Sequence, residues 1–134
     1  MSEPDLSTDA QRHEAGMRTR REVLGDAWVD RAVAGTTPFT AGFQDFITRV
    51  AWGDVWQRPG LERRERSIAT LSICIALRHW DEFALHVRAA RNNGLSDEDI
   101  AEVLQHAAVY AGVPAANHAF KVAGPILEEL RGEG

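Results

Sequence analysis

The sequence predicts an all-α fold, on three observations. Apolar residues recur at the three-to-four-residue spacing of helix faces, Gly and Pro fall at helix-length intervals, and strand-like alternation bounded by hairpin turns is missing. A length of 134 residues suits one domain, 1–134, with no internal repeat or low-complexity linker.

A first helix is expected from about Thr8 to Leu24, closed by Gly25. A short one follows through Trp28 and Val33. Thr40 is the expected N-cap of a helix through Phe43, Phe46, Ile47 and Val50, which leads into an aromatic turn from Trp52 to Gly60. The next helix, about Glu62 to Leu77, starts highly charged and becomes apolar on all sides at Ile68, Leu71, Ile73, Ile75 and Leu77. So apolar a helix in so small a chain must be central or covered by another subunit, which favours an oligomer. A further helix runs from near His79 or Trp80 to Asn93 and ends at Gly94. Ser96, followed by Asp97, Glu98 and Asp99, gives an N-cap with an acidic first turn. Ile100, Val103, Leu104, Ala107, Ala108 and Ala111 then form an amphipathic stripe ended by Gly112. Pro114 suits the first position of a last helix, which Pro125 is expected to kink or break.

Composition excludes several function classes. Apolar residues make up 44% and charged residues 26%, a globular rather than a disordered balance. A formal net charge of −5 argues against nucleic acid, which selects a basic face. Any anionic ligand must therefore be held by a local arginine cluster. The longest nearly uncharged run, Ser67 to Leu77, is too short to span a bilayer, and the acidic start lacks the order of a signal peptide. A cytoplasmic protein with no membrane partner is expected. Cys74 is the only cysteine, so an internal disulfide and a cysteine-based metal cluster are both impossible; between Ile73 and Ile75 it reads as a buried, inert thiol.

Chemistry concentrates in the segment from His79 to Ala90. At about 100° per residue, His79, Glu82 and His86 fall within roughly 60° of one another and border the apolar face formed by Phe83, Val87 and Ala90. Three readings stay open. The trio is a structural network at the core edge, a metal site of two imidazoles and a carboxylate, or an acid–base and anion-binding group. The spacing matches no standard helical metal motif. His106 and Tyr110, four apart, flank the Ile100–Ala111 stripe, and either pack there or face a ligand. Arg63, Arg64 and Arg66 open the central helix, where like charges are unfavourable, so carboxylate binding or subunit contact is the alternative to a solvated end. Trp52 and Trp56 wall a pocket or simply pack.

These segments carry a resemblance. The run Glu82–Ser96, its continuation Glu98–Leu104 and then Ala108–Asn117 are similar to the signature of the carboxymuconolactone decarboxylase family. Upstream, Glu14–Met17, Arg20–Asp26, Ala51–Leu61 and Arg66-Ser67 resemble it too, so the likeness runs from about residue 14 to residue 123. The wider superfamily includes alkylhydroperoxidase D, with Cys-x-x-Cys-x-x-x-His preceded by a glutamate. Here those positions hold His79, Glu82, His86 and Ser67, and no thiol remains for disulfide-based peroxide chemistry.

The resemblance implies an alkylhydroperoxidase-D-like helical bundle, assembled as a homo-oligomer, usually a hexamer. It implies a carboxy-lyase of the protocatechuate branch of aromatic catabolism. The reaction converts γ-carboxymuconolactone, a small dicarboxylate lactone, to β-ketoadipate enol-lactone with loss of CO2. No cofactor and no metal are expected, because the unsaturated lactone is its own electron sink. His86 is assigned as proton donor or oxyanion stabiliser, Glu82 as the residue setting its tautomer and charge, and Arg66 as the carboxylate clamp. His106, Tyr110, Trp52 and Trp56 complete the substrate-binding set, and His79 has no assigned role. The alternatives are a related lactone-processing or redox-linked enzyme on the same scaffold, and a non-catalytic oligomeric binding protein.

Overall fold

Reciprocal side-chain caps at Thr8, Glu62 and Ser96 mark three of the helix starts in the computed structural model, which describes residues 4–133. Among these residues every regular element is helical, and no helix is long and apolar enough to cross a membrane. The chain divides after Leu61 into two compact units.

In the first unit, α1 spans Asp9–Leu24, α2 Asp26–Ala34 and α3 Ala41–Ile47. The Thr8 hydroxyl accepts the Gln11 N–H (3.1 Å) while the Gln11 side chain accepts the Thr8 N–H (2.9 Å), a reciprocal cap that satisfies two otherwise orphaned donors. Gly25, at φ 90°, closes α1 and starts α2, a backbone state that a residue with a Cβ rarely adopts. Thr40 precedes α3 as expected but does not cap it: its hydroxyl accepts the Thr37 N–H (2.9 Å), tightening the preceding turn.

The expected aromatic turn is instead largely helical. Thr48–Trp56 forms a π-helical segment, and the non-helical link begins at Gln57. Two features accompany the change of winding. The Thr48 hydroxyl donates to the Gln44 carbonyl (2.7 Å), sharing an acceptor of the α-ladder. The segment also lies hard against α1. A Cβ on Gly16 would stand 2.0 Å from the Thr48 carbonyl oxygen, and one on Gly53 2.5 Å from that of Arg12. Only glycine permits two backbones so close.

In the second unit, α4 spans Arg63–Leu77, α5 Trp80–Asn92, α6 Asp97–Ala111 and α7 Val113–Glu133. Ser96 caps α6 as expected, its hydroxyl accepting the Asp99 N–H (3.0 Å) and the Asp99 carboxylate accepting the Ser96 N–H (2.9 Å). The core is built from Leu71 and Ile75 of α4, Phe83, Val87 and Ala90 of α5, Ile100 and Leu104 of α6 and Ala119 of α7, with Leu95 from the intervening turn. The predicted α6 stripe is the face that packs: Ile100, Val103, Leu104 and Ala107 are buried.

Two expectations, both about prolines, are corrected here. Pro114 is the second residue of α7, not the first; N–H groups of a first turn have no intrahelical acceptor, so either place suits proline. Pro125 does not break α7, which continues to Glu133; the preceding residue, Gly124, has no Cβ to meet the pyrrolidine ring. The apolar surface of α4 is not all covered within the chain. Ile73 and Leu77 are 57% and 59% exposed, while Leu71 and Ile75 are buried.

Candidate active site

The acid–imidazole pair of α5 is formed by helical geometry alone, since residues four apart share a face. His86 is 6% exposed, set beside the fully buried Phe83 and Val87. Burial pushes its pKa down from 6.5 to about 4, so the ring is neutral at physiological pH. Glu82 Oε2 stands 3.8 Å from His86 Nε2, beyond hydrogen-bond length, and the glutamate side chain is 65% exposed. The pair therefore joins a buried imidazole to a rim carboxylate. His79 is not part of that edge; it is exposed, occupies the N-cap position of α5 and accepts the Phe83 N–H through its carbonyl (2.8 Å). The turn that carries it is set by Arg78, which holds a left-handed conformation (φ 59°) after α4.

Cys74 lies in the core opposite this helix. Burial, and secondarily the Glu82 carboxylate, push its thiol pKa up, so the sulfur stays protonated and a poor nucleophile.

A groove of about 740 Å³ lies between α4 and α6. Helical spacing explains its walls: Arg64, Ile68 and Ser72 succeed one another every four residues on α4, and Asp99, His106 and Val109 face them from α6. Arg64 is tied to Asp99 (2.8 Å), which together with the Ser96 N–H holds the Asp99 carboxyl well below the usual carboxylate range. His106 lines the groove, with Tyr110 stacked against it at 5.1 Å between ring centroids and 81% exposed. Arg66, the expected clamp, is half-buried on α4, and the arginine on the groove wall is Arg64. In the first unit, Trp52 and Trp56 stack at 5.3 Å and are both buried, consistent with packing.

Two features escaped the sequence reading. Ser67, fully buried on α4, accepts a hydrogen bond from the Asn93 side chain (2.9 Å). His118 of α7 stacks on Trp80 at the start of α5, 4.4 Å between centroids. Both are contacts between residues far apart in sequence, which periodicity along one helix does not reveal. Among the described residues no group of three or more His, Cys, Asp or Glu is placed to hold a metal ion.

The family model described as "Carboxymuconolactone decarboxylase family" matches residues 41–124. The chain belongs to this family. It is 42% identical over 122 residues to the 4-carboxymuconolactone decarboxylase of Acinetobacter baylyi, covering 91% of each chain. It is 43% identical over 119 residues to the nitrosuccinic acid decarboxylase npaB of Metarhizium robertsii, covering 89% of this chain and 83% of that one. A shorter 4-carboxymuconolactone decarboxylase sequence from Pseudomonas putida is 52% identical over 46 residues, covering 34% of this chain. Membership in the family carries the alkylhydroperoxidase-D-like helical fold, in agreement with the helices described above.

Proposed function

We propose that this protein decarboxylates γ-carboxymuconolactone to β-ketoadipate enol-lactone without metal or organic cofactor. The observation that carries the reading is the 42% identity, over 91% of both chains, to a 4-carboxymuconolactone decarboxylase. The chemistry asks little of the protein beyond placement. As the C–CO2 bond breaks, its electron pair runs through the ring double bond to the lactone carbonyl oxygen, giving a dienolate. That anion takes one proton on carbon to become the enol-lactone. The lactone is the electron sink, the service that a pyridoxal cofactor or a metal supplies to an ordinary carboxylate.

A neutral, buried His86 suits the oxyanion role better than that of a standing acid. With its pKa at about 4, the imidazole carries one N–H and no charge at neutral pH, so it can donate a hydrogen bond to the developing dienolate oxygen. A preorganised donor of this kind contributes about 10²–10³-fold in kcat. Glu82, at 3.8 Å, biases which ring nitrogen keeps the proton. Arg66 is the clamp for a substrate carboxylate, and His106 and Tyr110 are further substrate contacts. The apolar residues exposed on α4 support a homo-oligomer, which we read as a hexamer, and we place the enzyme in the cytoplasm. We also read residues 1–134 as one functional domain, since the family match runs across both units.

A second reading has its own support in the 43% identity to a nitrosuccinic acid decarboxylase. A nitro group is also an internal electron sink, so the two substrates make the same demand on the protein. The test follows CO2 release from each compound, with and without a chelator, for the native chain, His86→Ala and Glu82→Gln. Lactone turnover that survives chelation and falls about 10²–10³-fold in His86→Ala supports the first reading. Turnover of nitrosuccinate alone supports the second, and ligand binding without turnover supports a non-catalytic binding protein.

A further inference from the structure

The first unit contains a buried cation that, among the described residues, no carboxylate pairs. Arg20 of α1 is only 5% exposed, yet it forms no salt bridge among the described residues. The two hydrogen bonds it makes there both leave from Nη1, to Gln44 Oε1 (3.2 Å) and Thr48 Oγ1 (3.4 Å), and its buried Nε has no acceptor. Both acceptors are neutral. Taking a guanidinium out of water without a counter-ion costs several kcal/mol, and structures usually compensate by pairing it with an anion. The nearby Asp45 does not serve, since it is engaged by Arg49 (2.9 Å) and approached by His13 (3.8 Å).

Arg20 does not lie sealed in the core. It lines a cleft of about 370 Å³ between α1, α2, α3 and the start of the π-helical segment, with Met17 and Val33 as apolar wall and His13, Gln44, Asp45 and Thr48 as polar wall. A flat guanidinium with unused donors, beside an apolar strip in a space of this size, has the features of a receptor for a small organic anion. We propose that this cleft binds a small carboxylate, its head group on Arg20 and its short carbon chain along Met17 and Val33. The inference stands independently of the decarboxylase reading, which rests on other residues.

The test is calorimetric titration with succinate at constant ionic strength, with inorganic phosphate as a second probe. It is carried out on the native protein, Arg20→Lys, Ala41→Phe and His86→Ala, after each variant's melting curve has shown it folded. Arg20→Lys keeps the charge but loses the fork; Ala41→Phe adds bulk to the cleft from an exposed position. We expect saturable succinate binding, weaker by about ten- to a hundredfold in Arg20→Lys. Ala41→Phe should weaken it similarly, whereas His86→Ala should retain it. No saturable binding to the native protein, equal affinity in Arg20→Lys and native protein, loss in His86→Ala alone, or phosphate binding as tightly as succinate would each overturn the proposal. If Arg20→Lys does not fold, Ala41→Phe decides: undiminished binding there would equally refute the cleft.

Discussion

Acidifying the protein from pH 7 to pH 5 tests whether His86 is buried as described, and the size of the effect follows from its surroundings. An exposed histidine in the unfolded chain titrates near 6.5, whereas burial beside Phe83 and Val87 pushes His86 down to about 4. The folded state therefore resists a proton that the unfolded state accepts. Stability from this group is present in full above pH 6.5 and declines as pH falls through the window from 6.5 to 4, because there the unfolded state binds more protons. Each pH unit between the two values is worth about 1.4 kcal/mol, so the whole window amounts to about 3 kcal/mol, and about 2 kcal/mol is lost by pH 5. The assay is urea unfolding at pH 7 and pH 5, at one protein concentration, for native protein and His86→Gln. Carboxylates titrate alike in both proteins, so the difference between the two losses isolates the imidazole. Equal losses would refute the argument that His86 is held neutral by burial.

Other perturbations follow from the same contacts. Gly16→Ala would place a Cβ against the Thr48 carbonyl and the Gly53 N–H, both backbone, and should destabilise the protein by about 1–3 kcal/mol or more, visible as a lowered melting midpoint. Ser96→Ala removes the α6 cap and should cost about 1 kcal/mol by urea unfolding, with little change in turnover. Phe83→Ala opens a cavity in the core under α5 and should cost about 3–5 kcal/mol by the same measurement. In the pH profile of kcat/KM, the acid limb assigned to His86 should fall near pH 4 instead of 6.5, and a His86 imidazole signal, identified by its loss in His86→Gln, titrating at 6.5 by NMR would contradict the assignment.

How much was legible in the sequence depended on the range of the interaction. Thr8, Gly25, Ser96 and Gly112 mark their helix ends because capping acts within a few residues, and the α6 stripe reports burial because the helical period projects onto one face. The π-helical segment was illegible for the opposite reason. Its accommodation against α1 depends on Gly16 and Gly53, 37 positions apart, meeting across two backbones. The Glu82–His86 and His106–Tyr110 pairs were read correctly as neighbours, since each is four apart on one helix. Their environments were not legible. His86 is buried, Tyr110 lies open to solvent and Arg64 rather than Arg66 lines the α4–α6 groove. Depth of burial belongs to the packing of several helices, as do the Ser67–Asn93 and Trp80–His118 contacts.

Burial also decides which chemistry these helices allow. Cys74 on α4 and His86 on α5 are both buried, and low-polarity surroundings keep both uncharged. The consequences differ. A thiol denied ionisation loses the thiolate on which its nucleophilicity depends, and with one cysteine in the chain no disulfide can form in its place. An imidazole denied protonation keeps one N–H donor and one nitrogen acceptor, both needed to steady an oxyanion and pass a proton. The same desolvation that silences Cys74 thus leaves His86 competent. On the proposed reading, negative charge developing on a substrate beside the ring raises its pKa and makes protonation easier. On that reading, decarboxylation on this scaffold rests on a buried imidazole and a substrate that carries its own electron sink.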